Sequence, residues 1–87
     1  MADETFKKVR QLIIKRTGIK PEKVVASAEF YKDIQFDSLE DVEFIIEVEE
    51  EFGIQIPDEE SQRMVLVDNL VRYIDSKIAE KGLTIPI

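Results

Sequence analysis

The sequence predicts an all-α fold, a small four-helix bundle with three longer helices, one short helix and a long first loop. Three observations lead to it. Apolar residues recur at helical spacing in separate segments. Glycine and proline stand at the segment edges, where helices stop and start. No stretch alternates long enough to make a strand, apart from two or three residues around Ile54 to Ile56. With 87 residues, 44% of them hydrophobic, residues 1–87 are expected to form one small domain around a single modest core.

The first helix is expected from about Glu4 to Thr17, with Asp3 as N-cap and Gly18 closing it. Phe6, Val9, Leu12, Ile13 and the alkyl stem of Arg16 make its core-facing stripe. Lys7, Lys8, Lys15 and Arg16 make the helix basic, which suits an anionic surface or, more simply, a solvated outer face. From Gly18 to Asp37 the chain is long and mostly irregular, with a short helical turn over Pro21 to Val24. A loop of this length needs anchors, and Ile19, Val24, Phe30 and Ile34 supply them; Tyr31 is assigned a partly exposed packing role.

The central helix is expected over Leu39 to Phe52, a run free of glycine and proline, with Ser38 at its start and Gly53 at its C-terminal cap. At about 100° of rotation per residue, Phe44, Ile45, Val48 and Phe52 fall on one arc that faces the core. Leu39, Val42 and Ile46 form a second stripe, flanked by Glu43, Glu49 and Glu50, and are placed at the boundary with solvent. An apolar patch framed by carboxylates suits a basic partner. The plainer alternative is a helix buried on two sides, with the run Glu49 to Glu51 as an ordinary solvated face.

Ile54 and Ile56 then lead through an extended connector into Pro57 and a short third helix over about Asp58 to Met64, whose acidic first turn suits the helix dipole. Asp58, Glu59 and Glu60 lack the ladder of a calcium loop, so no dedicated metal site is expected. The last helix is expected from Val67 to Glu80, with Leu70, Val71, Ile74 and Ile78 at core spacing and Gly82 beyond its end. Residues 83–87 form a short apolar tail that packs or frays.

Charge is unevenly distributed. The stretch from Asp33 to Gln62 holds twelve acidic and no basic side chains, whereas the whole chain carries −7. Such a field attracts basic protein surfaces and disfavours nucleic acid and anionic membranes. With neither cysteine nor histidine there is no disulfide framework, no thiolate nucleophile, no Cys/His zinc site and no Ser-His dyad. No apolar run approaches a membrane span and the start shows no leader pattern, so the expectation is a soluble, cytoplasmic chain without membrane insertion and without enzymatic activity.

Asp37-Ser38-Leu39 opening an acidic helix, then Glu49-Glu50-Glu51-Phe52, then Ile54-Gln55-Ile56-Pro57-Asp58-Glu59-Glu60, resembles an acyl carrier protein of the fatty-acid synthesis type. Ala28-Glu29-Phe30 and Asp33-Ile34 resemble the loop before the modified serine of that family. The tripeptide alone is a weak signal; with the acidic helix and the Ile-Pro-Asp-Glu-Glu run at this spacing it is a strong one. The resemblance implies that Ser38 receives 4′-phosphopantetheine from coenzyme A and that the thiol of that arm carries acyl groups as thioesters. It implies that Asp37, Leu39, Glu40, Val42, Glu43, Ile46, Glu49 and Glu50 meet the phosphopantetheinyl transferase (holo-carrier synthase) and fatty-acid synthesis enzymes through basic docking patches. It further implies a monomer, and an interior of Phe44, Val48, Phe52, Ile56, Leu70 and Ile74 that doubles as an acyl cavity, although a plain packed core fits those residues equally. Gln35 departs from the family, which often has glycine there; if the backbone needs a positive φ, glutamine is strained.

Two other readings stand beside this one. The first is a specialised carrier of amino-acid, polyketide or lipid-A-type acyl groups. The second is an unmodified acidic module that binds basic helices through Leu39, Val42 and Ile46, with Ser38 serving only as a helix cap. Ser38→Ala separates carrier from module.

Overall fold

The computed structural model describes residues 2–84, and side chains for residues 4–80. Four α-helices follow in order: α1 (Ala2–Thr17), α2 (Ser38–Phe52), α3 (Asp58–Arg63) and α4 (Val67–Thr84), with a single 3-10 turn at Pro21–Lys23 in the first loop. No strand occurs among the described residues; one isolated bridge joins Glu29 and Leu66. Three long helices and one short one make the expected all-α bundle.

The helix ends differ from expectation in instructive ways. Helix α1 begins at Ala2, so Asp3 lies inside its first turn and not at its N-cap. Helix α4 runs through Glu80 and Gly82 to Thr84. A lone glycine costs a helix only about 1 kcal/mol relative to alanine, too little to stop one already packed along its length. Leu83 and Thr84 therefore belong to the helix, and the rest of the expected tail lies outside the described residues. Helix α3 ends at Arg63, with Met64 buried just after it as the C-cap. Ile78 is exposed, one turn past Ile74, the last buried position of α4 among the described side chains.

The core draws on the three long helices and on the connections between helices. Val9, Leu12 and Ile13 come from α1, Phe44 and Val48 from α2, and Val67, Leu70, Val71 and Ile74 from α4. Val24, Ala28, Phe30, Ile34 and Phe36 of the first loop, with Ile54, Ile56 and Met64 of the later connections, are buried with them. Ile19, Ile45 and Phe52 pack against this core partly buried. The first loop is thus a structural layer, which explains how so long a connection stays ordered.

Backbone hydrogen bonds tie that loop to the α3–α4 connection. The Phe30 amide donates to the Val65 carbonyl at 3.0 Å, Val67 to Ala28 at 2.9 Å and Asp68 to Ala26 at 2.9 Å. Polar side chains join the helices at their flanks. The buried Thr5 hydroxyl donates to the Asp75 carboxylate, linking α1 to α4. Lys8 pairs with Glu51 at 3.1 Å, and Arg16 reaches Glu43 at 3.1 Å and Glu47 at 3.6 Å. Because the early end of α1 meets the late end of α2, the two run antiparallel.

Candidate functional site

The site is built from the loop that delivers the chain to α2. The amides of Asp33 and Ile34 both donate to the Glu29 carbonyl at 3.0 Å, while the Glu29 amide donates to the Asp33 carboxylate at 2.8 Å. Gln35 then takes φ +66°, in the left-handed region that residues other than glycine, asparagine and aspartate seldom occupy. This reversal brings the Phe36 amide back to the Phe30 carbonyl at 3.0 Å and closes the loop. Ile34 and Phe36, on either side of the exposed Gln35, are both buried.

Asp37 follows in extended conformation and caps α2. Its carboxylate accepts from the Glu40 amide at 2.7 Å, and the Glu40 carboxylate accepts from the Asp37 amide at 3.1 Å, a reciprocal capping box. Ser38 is the first helical residue and is solvent-exposed. The cap is therefore Asp37, and the capping role that the module reading gave to Ser38 is not the one it has. The helix dipole at this position favours an anion, whereas the flanking carboxylates of Asp37 and Glu40 oppose one. An exposed primary hydroxyl that no helix cap depends on fits a covalently attached phosphate, held by its ester bond and solvated.

The two stripes of α2 separate as their spacing predicts. Phe44 and Val48 are fully buried, whereas Leu39, Val42 and Ile46 are 65%, 56% and 50% exposed. The carboxylates around the exposed stripe are largely engaged within the chain. Glu40 belongs to the capping box, Glu43 accepts from Arg16, and the half-buried Glu49 accepts from the Ile56 amide at 2.6 Å, tethering the α2–α3 connector. Glu50 is exposed. Gly53 closes the helix at φ +65°, its amide donating to the Glu49 carbonyl.

Of the six interior residues singled out from the sequence, Phe44, Val48, Ile56, Leu70 and Ile74 are buried together, and Phe52 is only partly covered. Among the described residues, no group of three or more carboxylates is placed to hold a metal ion.

Several contributors were not anticipated. Phe36 packs its ring against Phe30 and Phe44 beneath the start of α2; its alternation with Ile34 across Gln35 was the available signal. Tyr31 is exposed rather than packed, and its hydroxyl donates to Asp41 of α2 at 3.1 Å. Partial desolvation and the bond to the Asp41 carboxylate hold its phenol above its ordinary pKa. Glu49 as a loop tether and Arg16 as a clamp on α2 depend on contacts distant in sequence.

Residues 7–74 match the family described as Phosphopantetheine attachment site. The chain is also 41% identical over 76 residues to an acyl carrier protein of Thermosynechococcus vestitus, an alignment that covers 87% of this chain and 94% of that relative.

Proposed function

Because this chain belongs to the acyl carrier protein family and carries its phosphopantetheine attachment domain, we propose that Ser38 is the residue esterified by 4′-phosphopantetheine and that the carrier serves fatty-acid synthesis. Members of this family are carriers, not enzymes, and meet phosphopantetheinyl transferases and acyl-handling enzymes. The arm supplies a thiol on which acyl groups ride as thioesters, chemistry that a chain without cysteine does not provide itself. The observation that carries the assignment is the exposed Ser38 hydroxyl at the first position of α2, with capping left to Asp37.

On this reading each part of the site has a task. The Ser38 Oγ forms a bond to the pantetheine phosphorus of coenzyme A, the bond from that phosphorus to the 3′,5′-ADP portion breaks, and the serine proton leaves to a base of the transferase. The Asp37–Glu40 box fixes the first turn, so that the hydroxyl is offered at one place and in one direction. The acidic field of α2 steers basic partner surfaces toward Ser38, and docking weakens as salt rises. Leu39, Val42 and Ile46 supply the apolar contact, with Asp37, Glu40, Glu43, Glu49 and Glu50 around them. We take the carrier to act as a monomeric single domain in the cytoplasm, since a protein shared among many enzymes needs a free docking face.

The test is intact-protein mass after incubation with coenzyme A, magnesium and a broad-specificity phosphopantetheinyl transferase, with Ser38→Ala beside it. One phosphopantetheine increment on the parent chain, absent from the variant, supports the reading. Since Asp37 is the cap, Ser38→Ala keeps the helix start, and loss of the increment reports the hydroxyl alone. An unmodified parent chain, with a known carrier modified in parallel, refutes it. Reconstitution with fatty-acid synthesis enzymes then decides the pathway.

A further inference from the structure

Gln35 is, among the described residues, the one position other than glycine with a positive φ. Buried Ile34 and Phe36 on either side, and the bond from the Phe36 amide to the Phe30 carbonyl, fix the backbone there. Closing this loop takes a left-handed residue, but it does not take a side chain. Glycine meets the same φ without the crowding of a Cβ. A strained residue held in place by its surroundings points to a function, and here the part left to perform one is the exposed carboxamide. No hydrogen bond among the described residues engages that carboxamide, so the fold does not use its polar end.

The neighbouring sequence shows what it can serve. From Asp33 to Ile54 every side chain is acidic or apolar except those of Gln35 and Ser38, with Gly53 having none. At neutral pH Gln35 is therefore the one side chain in that stretch, besides the serine itself, that can donate a hydrogen bond. Just upstream, the Tyr31 hydroxyl is committed to Asp41. Lys32 lines a groove with Lys23, Ser27 and Asp33 that neither Gln35 nor Ser38 lines. Three residues of chain hold the Cα of Gln35 within about 11 Å of that of Ser38, a span that a glutamine side chain and a serine-linked phosphate close from its two ends.

We propose that the Gln35 carboxamide donates to a phosphate oxygen of 4′-phosphopantetheine on Ser38 and is a positioning residue for the arm. This inference rests on the assignment of Ser38 above. The start of α2 favours the phosphate through its dipole while Asp37 and Glu40 oppose it, and a donor to an ionised oxygen adds to the favourable side. A lysine would do this more strongly, but its charge would cancel part of the acidic field that attracts basic partners; a carboxamide donates without that cost. Only the phosphate is held. The arm beyond it keeps its reach and leaves the protein from one fixed point beside the exposed stripe of α2.

The experiment uses the full chain with and without phosphopantetheine. Nitrogen-15 spectra follow the side-chain amide pairs, and loading is expected to shift the Gln35 pair while those of Gln55 and Gln62 stay in place. Melting temperatures of the parent and Gln35→Gly give a second readout. The advantage of glycine in the unloaded protein is expected to shrink by about 2 °C or more on loading, because only the parent gains the hydrogen bond. A Gln35 pair that stays in place on loading, or one that moves only when a transferase is added, overturns the proposal, and so does an equal glycine advantage in both forms. The spectra need only the parent, so the proposal stays testable where the variant fails to fold. A parent chain that shows no phosphopantetheine increment by mass refutes the Ser38 assignment instead and removes this inference with it.

Discussion

Replacement of Gln35 by glycine should stabilise the protein, although it deletes a whole side chain just ahead of Ser38. Gln35 sits at φ +66° with its side chain exposed. The left-handed conformation costs an L-residue about 1 to 2 kcal/mol through the crowding of Cβ against the following carbonyl. Glycine removes that cost but adds about 0.4 to 1 kcal/mol of unfolded-chain entropy. The relief is larger than the penalty, and the net gain is about 0.5 to 1 kcal/mol. For a chain of this length that is about 4 °C in melting temperature, measurable by calorimetry and by urea midpoint at unchanged m-value. Gln35→Val supplies the opposite arm, because a β-branched residue tolerates this region less well than glutamine does, and should melt below the parent. Phosphopantetheine loading of Gln35→Gly should continue, since Asp37 and Glu40 still fix the helix start. A glycine variant less stable than the parent would refute the strain argument, and with it the account of how the loop closes onto Phe30.

Arg16→Gln should lower stability by about 1 to 2 kcal/mol in urea unfolding, because a half-buried guanidinium bridges Glu43 and Glu47 and its loss leaves the Glu47 carboxylate poorly solvated. Glu49→Ala should cost about 1 to 2 kcal/mol by stranding the Ile56 amide, while Glu49→Gln, which keeps an acceptor, should cost clearly less. The raised pKa of Tyr31 predicts an alkaline effect. The folded state favours the protonated phenol, so the contribution is complete below about pH 10, the unfolded value, and is lost as pH rises through the higher folded value. Ultraviolet titration of phenolate should follow this, and Asp41→Asn should move Tyr31 back toward its ordinary value. Leu39→Ala should reduce kcat/KM for loading about tenfold, a typical cost for an interface anchor, whereas Glu43→Gln should change it less but flatten its dependence on salt.

How much of this was legible beforehand depends on how local the signal is. The four helices and the two stripes of α2 follow from spacing alone, because burial along a helix repeats with its turn. Gly53 at the end of α2 was readable for the same reason, its left-handed cap being a local backbone property. Ser38 was the capping candidate at that helix start, and Asp37 was missed as the cap; the available signal was Glu40, which completes a box only with a residue three before it. The ends of α1 and α4 were misplaced because single-residue punctuation, Asp3 and Gly82, was weighed above continuity of the helix. The clamp of Arg16 on Glu43, the tether of Glu49 to Ile56 and the bonds from the first loop to Val65 and Val67 were out of reach. Each joins segments whose approach is decided by packing of the core.

The internal pairing of the acidic side chains bears on how docking at α2 works. Glu40, Glu43, Glu49 and Glu51 each already have a partner in the chain: the Asp37 amide, Arg16, the Ile56 amide and Lys8 respectively. A basic residue that approaches any of them exchanges one contact for another, so much of the Coulomb energy gained on contact is offset by what is given up. The long-range field is only partly reduced, because the stretch from Asp33 to Gln62 holds twelve acidic and no basic side chains, and among the described residues only Arg16 and Lys8 are paired against α2 by ion pairs from outside it. On the proposed docking face, charge would act mainly on the rate of encounter, and the lifetime of a docked state would fall to Leu39, Val42 and Ile46, which are exposed and would gain burial only under a partner. A carrier docking in the proposed way would meet many enzymes quickly and be held by each only as long as a small apolar patch allows, which is the behaviour that passing a tethered intermediate from one enzyme to the next requires.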